Sequence, residues 1–229
     1  MDIPSKHVFS VLKEKGVDEL YHANSVATAC QFIRSRSLIS RGTVELLGIT
    51  QTPQASDDLD RRYGVWLDVF MDSVDIHHRA RRANVYGPVL FVLDTRTIER
   101  TYAGRLRVTK LNPTKWAEKS DRQRWFWDRE DLEKNFVVGC FDQMIIARRC
   151  GAELQFKRYL KKTVLDDPNA QPEDDVDLYS MGVSALRLAM EDTGLDVPIE
   201  RRKCRPGCRC EGDWGEDDAR LLRMFVPKT

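Results

Sequence analysis

The sequence predicts an α+β fold. Strand-forming runs such as Glu19–Ala23, Val89–Leu93 and Tyr159–Leu165 mix with helix-periodic segments without strict alternation. At 229 residues the chain fits one sizeable domain, or one domain with appendages, and can bury a core without disulfide staples. Apolar residues make up 41% and charged residues 32%, the balance of a globular rather than a disordered chain.

Residues 5–16 form the first helix, with Val8, Val11 and Leu12 on one side and Gly16 as its stop. Glu19–Ala23 is a brief strand. Asn24 or Ser25 caps the next helix, where Val26, Ala29, Cys30 and Ile33 recur at helical spacing. That helix runs out at Ser37, and Leu38–Gly42 is its exit. Gln51–Asp60, rich in Pro, Ser and Asp, reads as a loop. Val65–Met71 is a strand and Ser73–Ala83 a helix. Gly87-Pro88 then introduces Val89–Leu93, the clearest buried-strand run. Leu106–Leu111 is a weaker strand, and Arg129–Lys134 a short helix. Phe141–Arg148 and Tyr159–Leu165 are strands, the latter ended by Asp166-Asp167-Pro168. Residues 169–175 form a linker. Leu178, Met181, Ala185 and Leu188 mark a helix that stops near Gly194, before a cysteine cluster and the apolar run Leu221–Val226. These boundaries divide the chain into a domain over residues 1–168 and an appendage over 169–229.

The formal net charge of +1 supplies no global field towards nucleic acid, so any attraction to phosphate must come from local patches. No run approaches the roughly 18 apolar residues of a membrane span. The first 16 residues are too polar for a secretory signal, and a cytoplasmic location follows as the expectation. The six cysteines are then expected as reduced thiols.

Tyr21-His22-Ala23-Asn24-Ser25, a helix, and Leu38-Ile39-Ser40-Arg41-Gly42 place an imidazole on a strand beside a helix N-terminus, which favours a pyrophosphate. Arg41 adds a charge-assisted donor for that group. This block resembles the first motif of the ADP-ribosyltransferase superfamily, in which a strand-borne His and a nearby Ser or Thr bind NAD. Phe141–Ala147 and the later strand with Tyr159-Leu160 resemble the family's last two strands. The likeness spans residues 19–165. It implies a split mixed β-sheet core with flanking helices, and NAD as co-substrate held by His22, Ser25 and Arg41. Trp66 or Phe70 would face the nicotinamide. The nearest flavour is that of DarT-like and phage-defence toxins, which modify nucleic-acid bases; an antitoxin partner is implied with them.

His22 and position 143 would be catalytic. Where the family carries its catalytic Glu, this chain has Gln143, which can hydrogen-bond but supplies neither charge nor base. Gln143 would therefore impair the enzyme, so that Gln143→Glu would raise NAD-dependent labelling by orders of magnitude. The rivals are a protein-modifying ADP-ribosyltransferase and a non-catalytic module that binds NAD or nucleic acid.

Residues 112–135 precede the strand expected to carry position 143. Trp116 and Trp125 could stack on unpaired bases while Arg122 and Arg124 meet phosphates. The six basic side chains there are matched by six acidic ones, which favours an aromatic cluster under a solvated face as strongly. His77 and His78 are neighbours that splay apart on a helix, so they do not form a metal pair. Cys204, Cys208 and Cys210 crowd into seven residues. Zinc is the alternative to free thiols here, and its fourth ligand would have to be Cys140, Cys150 or a His folded back from elsewhere.

Overall fold

Two four-stranded sheets meet at one joint in the computed structural model, which describes residues 1–102, 104–169 and 177–227. Strand β1 (Ile3–Pro4) leads into helix α1 (Ser5–Glu14), whose Val8, Val11 and Leu12 are buried as their spacing requires. Gly16, at a left-handed φ of 76°, stops that helix before β2 (Glu19–Asn24). Ser25 caps α2 (Val26–Arg34) by accepting the Thr28 N–H at 3.3 Å. Then come β3 (Ser37–Leu38), α3 (Arg41–Leu46), α4 (Asp57–Arg62), β4 (Val69–Met71) and α5 (Ile76–Ala80). Beyond them lie β5 (Val89–Asp94), α6 (Thr97–Arg100), β6 (Arg105–Val108), α7 (Asp121–Arg124), α8 (Arg129–Asn135) and β7 (Ile145–Ala147). The last elements are β8 (Leu154–Gln155), β9 (Leu160–Leu165), α9 (Leu178–Thr193), β10 (Ile199–Arg201), α10 (Cys210–Gly215) and α11 (Asp218–Phe225).

One sheet runs β1-β6-β7-β4 and the other β10-β9-β5-β2, antiparallel except for the β10–β9 pair; β3 and β8 form a separate ribbon. At the joint Tyr21 and Asp72 exchange backbone hydrogen bonds of 3.0 and 2.9 Å. The apolar run of β5 lies inside its sheet: Val89, Phe91 and Leu93 enter the main core, while Leu90 and Val92 pack on the other face with Val164. The architecture is therefore mixed, with sheets and helices interspersed as the unalternating strand and helix signals implied. Among the described residues, no helix is long and apolar enough to cross a membrane.

Several elements are shorter than their sequence patterns. The strand expected over Val65–Met71 starts at Val69. Before it, the Trp66 carbonyl accepts the Gly42 N–H, and the buried Asp68 carboxylate accepts the Arg149 N–H. The strand expected over Phe141–Arg148 is only Ile145–Ala147, since Cys140 N–H bonds Val137 O and Gln143 N–H bonds Cys140 O in successive turns. The helix expected over Ser73–Ala83 is cut to Ile76–Ala80 by Asp75, which accepts the His77 N–H, and by Arg81 at a φ of 55°. Part of the expected Gln51–Asp60 loop is the start of α4, where three aspartates suit a helix N-terminus.

The division at residue 168 has no counterpart in the packing. β10 extends the second sheet alongside β9, and α9 and α11 cover α2. Leu178, Leu186, Trp214, Leu221 and Phe225 join the same core as Leu20 and Phe91. The expected linker falls, apart from Asn169, outside the described residues.

Candidate functional site

β2 delivers His22 to the joint between the sheets. Its Nδ1 lies 2.7 Å from the Phe70 carbonyl oxygen, so that nitrogen carries the proton and Nε2 keeps its lone pair. Asn24 Nδ2, itself buried, donates to that Nε2 at 2.7 Å. The ring stacks on Phe32 at 5.6 Å. Burial, with a smaller push from Arg41, lowers the imidazole pKa to about 4, and His22 is neutral at ordinary pH. Space for Asn24 depends on Gly87, whose φ is 143°; a Cβ there would lie 2.2 Å from the Asn24 carbonyl.

The Ser40-Arg41-Gly42 turn brings a second group to the same place. Ser40 caps α3 by accepting the Thr43 N–H at 3.2 Å. Arg41 pairs with Asp57, Nε to Oδ1 and Nη2 to Oδ2, both at 2.7 Å. Its Nη1 is buried and has no hydrogen-bond partner among the described residues. Gly42 permits this approach: a Cβ would meet Leu67 Cδ2 at 2.6 Å and Trp66 Cδ1 at 2.8 Å. Trp66 lies beneath the Arg61 guanidinium at 3.8 Å from the ring centroid, with Arg41 at 5.4 Å, and its Nε1 donates to Glu45.

His22, Arg41, Trp66 and Phe70 line one cleft that is partly open to solvent. Its walls are mostly apolar, with a few convergent polar groups, the make-up of a small-molecule site. Three carboxylates also face it: Asp60, Asp68 and Asp72. Asp68 is committed to Arg148 at 2.9 Å and to the Arg149 N–H at 2.8 Å. Burial pushes Asp60 up to about 6, opposed by a hydrogen bond from Ser56. Burial pushes Asp72 up to about 7, and the neighbouring Asp75 adds to it. Burial and these same two acids raise the Tyr86 hydroxyl to about 12. A carboxyl that titrates near neutrality inside a cleft is equipped for proton transfer.

The other expected site residues are not brought to the cleft. Ser25 is buried as the α2 cap, with its hydroxyl 2.6 Å from Thr52 and 3.1 Å from Thr28. Gln143 spends its amide on backbone, accepting from Val137 N–H at 2.7 Å and lying 3.4 Å from the Asn135 carbonyl; its neighbour Met144 lines the cleft instead. Trp116 and Trp125 are 1% and 3% exposed and pack on each other with ring centroids 4.6 Å apart. They are core, not a base-stacking platform. Arg124 is bound to the Trp116 carbonyl and lies against the Tyr63 and Trp116 rings. Only Arg122 remains on the surface, over Trp127, which is 39% exposed.

A second constellation shares no lining residue with the cleft. His77 Nε2 and the thiols of Cys204, Cys208 and Cys210 converge, all four atoms lying within 4.8 Å of one another. The sequence pattern supplied the three thiols. It could not show which distant His would fold back to them, just as nothing local marked Asp60 or Asp72 as cleft groups. No protein-family model matches the chain, and no curated protein matches it.

Proposed function

We propose that the cleft binds NAD and that the chain transfers ADP-ribose from it to a nucleic-acid base, as the toxin of a toxin–antitoxin or phage-defence system. The observation that carries this reading is the convergence of His22, Arg41, Trp66 and Phe70, from three separate segments, on one cleft. The buried, unpartnered Arg41 Nη1 fits an anionic pyrophosphate oxygen. His22, with its Nε2 held by Asn24, contributes a neutral ring to the cleft wall, and the rings of Trp66 and Phe70 suit a planar nicotinamide. NAD supplies the ADP-ribosyl group, with nicotinamide leaving.

The carboxylate that the reaction needs is assigned to Asp72 rather than to position 143. Asp72 faces the cleft, has no guanidinium partner among the described residues, and exchanges its proton near neutrality. Ionised, it stabilises positive charge developing on the ribose; it also accepts the proton of the attacking amine. The acceptor approaches past Asn112, Pro113 and Thr114 at the cleft's edge, close in sequence to the exposed Arg122–Trp127 pair.

A second reading, a non-catalytic NAD-binding module, is favoured by Gln143 standing where the resemblance calls for Glu. Isotopically labelled NAD incubated with RNA, DNA and total protein separates them. The proposal expects label in nucleic acid, lost in His22→Ala and Asp72→Asn. Label in protein alone would move the acceptor, saturable NAD binding without turnover would leave the binding module, and no NAD binding at all would remove the proposal.

A further inference from the structure

We propose that His77, Cys204, Cys208 and Cys210 form a structural zinc site that pins the irregular loop 202–209 to α5. His77 Nε2 lies 3.3 Å from Cys208 Sγ and 3.6 Å from Cys204 Sγ, and Cys204 Sγ lies 3.0 Å from Cys210 Sγ. Around a tetrahedral zinc, two thiolates sit about 3.8 Å apart, and a thiolate and an imidazole nitrogen about 3.6 Å. The three separations in the protein, with all four atoms within 4.8 Å of one another, match the dimensions of such a site, with Cys204 and Cys210 drawn closest. The Cys204–Cys210 separation is about 1 Å longer than a disulfide bond.

The imidazole is set for the metal by what holds its other side. His77 Nδ1 lies 3.1 Å from Asp166 Oδ2, so that nitrogen carries the proton and the Nε2 lone pair faces the thiols. Asp166, 2% exposed, also accepts from Arg202 Nε, and Arg202 Nη1 reaches Asp75 Oδ2 at 2.5 Å. Asp75 in turn starts α5 by accepting the His77 N–H at 3.0 Å. A ligating His that donates its second N–H to a carboxylate is the usual support of protein zinc. Here the supporting carboxylate is itself fixed by a buried arginine.

The loop has few other reasons to be ordered. Residues 203–207 are exposed, and no apolar side chain anchors the chain between Arg202 and the partly buried Cys208. A metal joining residues 127 positions apart supplies that anchor, as small metal-stapled segments require. Three thiolates and one divalent ion leave one net negative charge, which Arg202, Arg205 and Arg209 flank in sequence. All four protein ligands are present, so no position is left open for substrate, and the site is structural rather than catalytic.

Metal analysis of the full chain purified in reducing buffer tests this. The expected result is one zinc per chain, falling to none in Cys208→Ser. Because that variant could fail to fold, the wild-type chain is also stripped and reloaded with cobalt(II). Intense visible d–d bands and a thiolate charge-transfer band in the near ultraviolet are expected. Asp166→Asn should weaken zinc binding about 10–100-fold in competition with a chromophoric chelator. Wild-type protein carrying no zinc and giving no tetrahedral cobalt spectrum would overturn the proposal, as would a Cys204–Cys210 disulfide in the unreduced chain.

Discussion

His22 donates its Nδ1 proton to the Phe70 carbonyl oxygen, 2.7 Å away, across the joint where β2 meets β4. One hydrogen bond thus ties the two sheets and selects the tautomer that faces the cleft. Its folded pKa of about 4 lies below the ordinary 6.5, so between those values the unfolded chain binds the proton more readily. The contribution of His22 to stability is complete above pH 6.5 and is lost as pH falls through about 4. Nitrogen NMR should report the neutral, Nδ1-protonated ring at pH 6, and His22→Gln should flatten the loss of stability between pH 6.5 and 4. A charged ring at pH 6 would sink this account.

Asp72 carries the opposite sign. Its folded pKa of about 7 lies above the ordinary 3.8, so the unfolded chain releases the proton first as pH rises. Stability from this group is full below pH 3.8 and declines until the carboxylate is ionised in both states, above about 7. Asp72→Asn should therefore melt higher than wild type at pH 8, with the gap closing towards pH 4, while NAD turnover is lost. A variant that gains stability and loses activity marks a group kept for chemistry. Equal melting temperatures at pH 8 would show that Asp72 is not held in this state.

Gly42 and Gly87 are each crowded by backbone or ring atoms of the cleft wall. Gly42→Ala sets a methyl against Leu67 and Trp66, at a cost of about 1–3 kcal/mol for overpacking. Gly87→Ala adds strain at a φ of 143° and collides with the Asn24–Ser25 backbone, so it should destabilise more. Denaturant melts give the order, and Trp66 displacement in Gly42→Ala should weaken NAD binding beyond the stability loss. Wild-type stability in either variant would contradict the packing.

Gln143 lies away from the cleft that its place in the motif predicts. The motif made 143 the catalytic position, so a Glu there would raise turnover by orders of magnitude. In the fold the Gln143 side chain braces the 135–137 turn and does not line the cleft. Gln143→Glu is expected to keep the acceptor for Val137 N–H and to change NAD consumption less than Asp72→Asn is expected to. A large gain in turnover would return the role to position 143.

What the sequence revealed depended on whether the cause was local. Ser25, Gly16 and Gly194 punctuate helices through their own conformations, and Val89–Leu93 is apolar enough to demand the interior; each was readable. His22, Arg41, Trp66 and Phe70 were singled out from a motif and do meet at one cleft. Trp116 and Trp125 were ambiguous because an aromatic pair packs a core as readily as it stacks on a base; only burial decides. Asp72 and His77 acquire their surroundings from residues far along the chain, Tyr21 and Cys204 among them, and spacing does not encode such meetings.

The same long-range packing makes residues 178–227 part of the fold rather than an addition to it. Leu178, Leu186, Trp214, Leu221 and Phe225 are each at most 1% exposed, and β10 shields β9 along Thr163–Leu165. Burial of each large apolar side chain contributes about 1.5–3 kcal/mol, so these five alone are comparable to the about 5–15 kcal/mol of net stability of a typical domain. Gly182 lets α9 sit close to Leu165 and Val26, where a Cβ would come within 3.1 and 3.4 Å. A chain ending at residue 168 should therefore lack a cooperative thermal transition in circular dichroism and show collapsed amide dispersion by NMR. Cooperative unfolding of that shortened chain would restore residues 1–168 as a self-sufficient domain.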